Sequence, residues 1–101
     1  MIVYNVTTKV DPSIKENWLL WIKEEHIPDI LKTGCFTKAN TFQLLETDDS
    51  EGPTFTIQYF AESKSFYNLY IENFASVMRE KAMSKWGNKF ISFRSLMQVV
   101  N

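Results

Sequence analysis

Ile2-Val3-Tyr4-Asn5-Val6-Thr7-Thr8-Lys9-Val10-Asp11-Pro12 is the stretch on which the fold turns. Ile2, Tyr4, Val6 and Val10 share one side of an extended chain, and Val3, Asn5, Thr7 and Lys9 the other. That alternation makes a strand with one strongly apolar face. At Asp11-Pro12 the hydrophobic period changes from two to about 3.6. Asp11 supplies an N-cap oxygen, and Pro12 stands at the first helical position, where its missing N–H breaks no hydrogen bond. The helix that follows carries Ile14, Trp18, Leu19, Trp21 and Ile22 in one sector and places Glu25 and His26 inside that sector too. It is read to end near His26, because Pro28 disfavours helical geometry at Ile27. Pro28 to Lys32 is expected as a separate turn closed by Gly34.

The rest of the chain repeats these two periods. Phe36 to Leu45 and Thr54 to Ala61 read as strands joined by the acidic turn Glu46 to Pro53. Ser63 caps a second helical region with two stripes, one through Phe66, Leu69, Tyr70, Phe74 and Val77, the other through Ala75, Met78, Ala82 and Trp86. The stripes are rotated relative to each other, which fits either two short helices meeting near Asn73 or one bent helix. Gly87-Asn88 ends the region, and Phe90 to Val100 is the last strand. The order β-α-β-β-α-β is the split βαβ, ferredoxin-like unit. It predicts an α+β fold in a single domain over residues 1–101, with helices on one face of a four-stranded antiparallel sheet.

Alternation sorts the strands into faces. Ile2/Tyr4/Val6, Phe55/Ile57/Tyr59 and Ile91/Phe93/Met97/Val99 are expected beneath the helices. The opposite face then shows Val3, Asn5, Thr7, Thr54, Thr56, Gln58 and Phe60, with Phe90, Ser92, Arg94, Leu96 and Gln98 from the last strand. A sheet face open to water should be dominated by charge. This one mixes Val3, Phe60, Phe90 and Leu96 with neutral polar groups and one arginine, and the chain has no third layer to cover it. The simplest cover is a second copy. That gives a homodimer through the sheet face, a dimeric α/β barrel with a half-polar lumen.

Bulk chemistry narrows the partners. Eleven basic against 12 acidic residues, concentrated in neither half, leave a net charge of −1. That excludes nucleic acid as the main partner, since phosphate neutralisation needs a basic patch. No stretch approaches the ~20 apolar residues of a membrane span. The N-terminus leads straight into a strand without a basic leader, so no signal peptide is expected. The single Cys35 has no partner for a disulfide and fits a reducing compartment, so the expected location is cytoplasmic.

His26, the only histidine, is a candidate general base that Glu25 or Asp29 would orient. A histidine capping carbonyls at a helix C-terminus is the other reading. Glu25 is angled over Trp18 and Trp21, where burial would raise its pKa as in a catalytic acid, unless the helix loosens before Pro28 and frees it to water. Asn5, Gln58 and Arg94 share the expected lumen face as ligand-binding candidates. Arg94 suits a carboxylate or enolate oxygen, or an acidic residue across a dimer seam. Asp48, Asp49 and Glu51 lack calcium-loop spacing, and His26 has too few ligands around it for a metal, so neither metal nor cofactor is expected.

Met1-Ile-Val-Tyr-Asn-Val-Thr7, Asp11-Pro-Ser13, Trp18-x-x-Trp21, Glu24-Glu-His-Ile-Pro-Asp29, Gln58-Tyr59 and Lys89-Phe90 together resemble a family of short bacterial proteins known only as a domain of unknown function. The likeness spans essentially the whole chain. That family is similar to the dimeric α/β barrel superfamily, which implies the fold and homodimer above and brings no established activity. Cofactor-independent quinol and polyketide monooxygenases of the superfamily also carry an asparagine on the first strand, here Asn5. Relatives of ether-degradation proteins and sugar mutarotases carry a histidine near the end of the first helix, as His26 is here. Haem-degrading members ligate haem through a histidine in the second helical region, and Ser63 to Trp86 contains none.

Two function classes result. One is an enzyme that binds a small molecule in the lumen and runs cofactor-free proton-transfer or oxygenation chemistry. His26 would then be its base, and Asn5 and Arg94 would hold oxyanion charge. The other is a non-catalytic metabolite-binding or structural dimer module, which a lumen filled by Phe60, Phe90 and Leu96 would favour.

Overall fold

The computed structural model describes residues 1–101. β1 (Ile2–Val10), β2 (Lys38–Gln43), β3 (Thr54–Ala61) and β4 (Phe90–Gln98) form one antiparallel sheet in the order β2-β3-β1-β4. Helices α1 (Lys15–Trp21), α2 (Ile27–Lys32), α3 (Lys64–Asn73) and α4 (Ala75–Trp86) complete a ferredoxin-like α+β fold. Tyr4, Phe55, Ile57 and Tyr59 point from the sheet into a cluster of buried residues that includes Trp18, Trp21, Ile22, Ile30, Tyr70 and Met78 from the helices. Trp18 lies against Phe55 with ring centroids 5.5 Å apart.

The caps follow from the local sequence. Asp11 Oδ1 accepts from the Ser13 N–H at 2.9 Å and from the Ser13 hydroxyl at 2.6 Å. Ser63 Oγ accepts from the Phe66 N–H, and the second helical region is two helices, broken at Phe74. Gly34, at φ 79°, closes α2 by donating to the Leu31 carbonyl. β2 and β4 are shorter than the expected Phe36–Leu45 and Phe90–Val100. Phe36 has left the sheet to pack against Tyr4, Tyr59 and Tyr70.

Two expectations are corrected. The first helix does not stop at His26, and Pro28 to Lys32 is no separate turn. A π-helical turn, Ile22–His26, joins α1 to α2 without a break. The Ile27 N–H bonds to the Ile22 carbonyl, five residues back. This wider turn takes up the crowding that proline imposes on the preceding carbonyls. Pro28 then sits in the first turn of α2.

The second correction concerns the faces of β4. Val10 lies opposite Phe90, Thr8 opposite Ser92, Val6 opposite Arg94 and Tyr4 opposite Leu96. Ser92, Arg94 and Leu96 therefore point to the helical side, while Ile91, Phe93 and Met97 point to the open face beside Lys9, Thr7 and Val3. Phe93 is 67% exposed and Ile91 55%. The turn after Gly87 sets the register through the Asp11 N–H donating to the Lys89 carbonyl, and a shift of one residue inverts every side chain of a strand. Thr8 and Ser92, linked at 2.8 Å between hydroxyls, hold that register on the helical side.

Trp18→Ala removes an indole that is 3% exposed and central to the cluster. Such truncations cost about 3–5 kcal/mol, so the variant should unfold or melt far below the wild type in a thermal scan. Gly52→Ala tests the β2–β3 loop. Gly52 has φ +121°, and an added Cβ would lie 1.9 Å from the Val10 carbonyl oxygen. A substantial fall in Tm is expected; an unchanged Tm would mean that this loop does not pack on the end of β1.

Candidate functional site

A cavity of about 60 Å³ lies between the sheet and the helices. Trp18, Trp21 and His26 close it from the first helical run, Tyr4 and Tyr59 form its floor, and Tyr70 lies across it. The π turn carries His26 to this wall rather than to a helix end, which removes the carbonyl-capping reading. The imidazole stacks on the Trp21 indole, with ring centroids 4.4 Å apart and planes 22° from parallel. Trp21 meets Trp86 edge-on at 5.8 Å. Burial lowers the His26 pKa to about 4, with Asp29 opposing and Lys81 reinforcing the shift. The ring is therefore neutral near pH 7, with a lone pair available.

His26 and Trp21 also line an outer groove between the first helical run and α4, whose walls include Asp29 and Lys81. Those two form an ion pair at 3.8 Å. His26 thus stands between the cavity on one side and the outer groove on the other.

The far side of the cavity is aromatic and cationic. Tyr4 packs against Tyr59, Tyr67 and Tyr70. Arg79, from α4, donates to the Tyr4 hydroxyl at 3.2 Å. Arg94, from β4, lines the same cavity. Burial pushes the Tyr59 and Tyr70 phenols well above their ordinary range, so both stay protonated. No three His, Cys, Asp or Glu side chains gather where they could hold a metal.

The structure brings together His26 and Arg94 and separates them from the other candidates. Asn5 and Gln58 sit opposite each other on the open face. Asn5 is engaged there: its Oδ1 accepts from Thr56 at 2.6 Å and its Nδ2 donates to Thr7 at 3.2 Å. Arg94 does not share their face, because β4 is inverted relative to the expected pattern. Glu25 is exposed and lines the outer groove, since the π turn swings it off the tryptophan sector. The sequence reading missed Tyr4, Tyr70 and Arg79. A signal existed for the tyrosines, because phenols on an apolar face need a polar neighbour.

A model of the "Domain of unknown function (DUF4286)" matches residues 1–100. The chain belongs to the DUF4286 family. No curated protein matches this DUF4286 chain. Among solved structures it is similar to a Nitrosomonas europaea protein assigned to the antibiotic biosynthesis monooxygenases, at TM-score 0.69 and 11% identity over 100% of both chains. It is similar to SnoaB, a cofactor-independent oxygenase from Streptomyces nogalater, at TM-score 0.65 and 9% identity over 99% of this chain and 93% of that one. A Streptomyces coelicolor monooxygenase in complex with nanaomycin D aligns at TM-score 0.60 and 15% identity, over 99% and 89% of the two chains. These likenesses show the ferredoxin-like α+β fold.

His26 also carries a pH signature. Its folded pKa of about 4 lies below the ordinary 6.5, so the unfolded chain takes up a proton across that window that the folded chain refuses. Stability should fall as pH drops from 6.5 towards 4, by up to about 3 kcal/mol, and this contribution should level off below. His26→Gln should flatten that part of the stability profile, measured by urea unfolding. An imidazole that titrates at its ordinary value by NMR would show that the ring is not buried against Trp21.

Proposed function

We propose that this protein is a homodimer that binds a small molecule in each cavity and moves a proton within it, with neutral His26 as the acceptor. One observation carries the reading: a histidine kept neutral by burial opens onto a cavity with no carboxylate in its lining. The step needs no cofactor. A C–H or O–H bond of the ligand breaks, the proton passes to an imidazole nitrogen, and the electron pair stays on the ligand as an enolate or phenolate. Neutral phenols and the guanidinium of Arg94 are the groups that would receive that charge. SnoaB, described as a cofactor-independent oxygenase on this fold, supports the class of chemistry by analogy.

The open face supports the dimer. Phe42, Ile91, Phe93 and Met97 are exposed there, and Val3 is buried between its neighbours. Water gains nothing from such a face, and a second copy of it is self-complementary by symmetry. Asn5 and Gln58 then belong to the contact between sheets. Cys35, a free and buried thiol, supports a cytoplasmic setting.

Light scattering should give twice the 11.9 kDa chain mass, and Phe93→Glu should shift the population to monomer with the fold intact. A wild type that stays monomeric at micromolar concentration would remove the dimer. For the site, an aromatic fragment screen followed by NMR should shift the His26 ring and the Met78 methyl together, and His26→Gln should abolish turnover of any ligand that the wild type converts. Fragments that perturb only the open sheet face would overturn the cavity as the site.

A further inference from the structure

The chain has two arginines, Arg79 and Arg94; all its other basic side chains except His26 are lysines. Both arginines line the one cavity, Arg79 from α4 and Arg94 from β4. No lysine lines it, and no aspartate or glutamate. Neither guanidinium has a carboxylate within ion-pair distance, and the ion pair the structure does form, Lys81–Asp29, lies in the outer groove. Both arginines are solvent-exposed, so they present two positive charges at the solvent side of a cavity whose lining holds no counter-charge, and these raise its potential.

The remaining polar groups are arranged to donate. Tyr4 accepts from Arg79 Nη2, which leaves its own hydroxyl hydrogen free to point elsewhere. The Tyr59 and Tyr70 phenols remain protonated. Apart from the lone pair of His26, the polar lining is thus matched to a ligand that accepts, and arginine's planar fork suits two oxygens on one carbon better than lysine's point charge. The flat walls of Tyr4, Tyr70, Trp18 and Trp21 suit a ring.

We propose, resting on the small-molecule reading above, that the ligand is a small aromatic monocarboxylate, its carboxylate held between Arg79 and Arg94 and its ring against the tyrosine floor. The anion replaces the missing counter-charge. It also places the ring carbons or a ring hydroxyl on the side of the cavity that His26 closes.

The probes are benzoate and salicylate, each paired with its neutral isostere, benzamide and salicylamide, titrated into the intact protein. With only two arginines, the two Nε–H signals report on the site directly by NMR. The acids should shift both signals and quench tryptophan fluorescence, while the amides bind at least about tenfold more weakly. Arg79→Gln and Arg94→Gln should each weaken the acids by about tenfold or more and leave the amides unchanged. Arg79→Lys, which keeps the charge without the fork, should fall between. Lys85→Gln, in the outer groove, should change nothing, and a fall in acid binding there would point to surface charge and overturn the assignment. Acids and amides binding equally, both indifferent to the arginine variants, would overturn the anion and leave the small-molecule site standing. No response of any cavity signal to either class would overturn both.

Discussion

Val10 opposite Phe90 and Thr8 opposite Ser92 fix how β4 lies against the central strand β1, and the chemistry of both sheet faces follows from that register. Side chains alternate along a strand, so one pairing decides every orientation on it. In this register Arg94 and Ser92 face the helices and edge the cavity. Ile91, Phe93 and Met97 go to the open face. The last strand thereby turns its more apolar side, with Ile91, Phe93 and Met97, to the open face and its mixed side, with Phe90, Ser92, Arg94 and Leu96, to the helices, the reverse of what burial within one chain favours. A strand so arranged makes sense only where the interior holds something polar and the exterior is covered.

The π turn plays the same part on the helical layer. In a straight α-helix the Pro28 ring would crowd the Glu24 carbonyl four residues back, and breaking the helix would have left His26 frayed in water. The wider turn keeps the run continuous, packs Ile22 and Ile30 into the core on either side, and seats His26 flat on Trp21. Rigid aromatic contact then fixes the orientation of the imidazole, and burial keeps it neutral. Such turns concentrate at functional positions because they spend local regularity to aim one side chain.

The cavity joins these two devices. Its aromatic floor, Tyr4 and Tyr59, belongs to the buried core, so the site is built from the same residues that hold the fold together. Its charge comes from α4 and β4, which carry Arg79 and Arg94. Core tyrosines bring hydroxyls into an apolar setting, where Arg79 satisfies one of them.

Alternation along β1 and β3, the Asp11-Pro12 and Ser63 caps, and the helical stripes were enough to determine the βαββαβ order from sequence, because each is a local periodicity or a local hydrogen bond. They also placed Tyr4, Phe55, Ile57, Tyr59, Trp18 and Trp21 in the core. His26 stood out because a polar ring lay in an apolar sector. Tertiary structure decided the rest. The faces of β4 were not legible, since both parities of Phe90 to Val100 carry apolar residues and the more apolar one, Ile91 to Val99, faces away from the helices, a choice that only pairing with β1 makes. The path past Pro28 was not legible either, because proline's local preference favours a break and only packing of Ile30 on the core rewards continuing. Which candidates share a site depended on both. Asn5 and Gln58 parted from Arg94 when β4 inverted, Glu25 left the pocket when the π turn opened, and Arg79 joined it through a contact 75 residues away in the chain, at Tyr4.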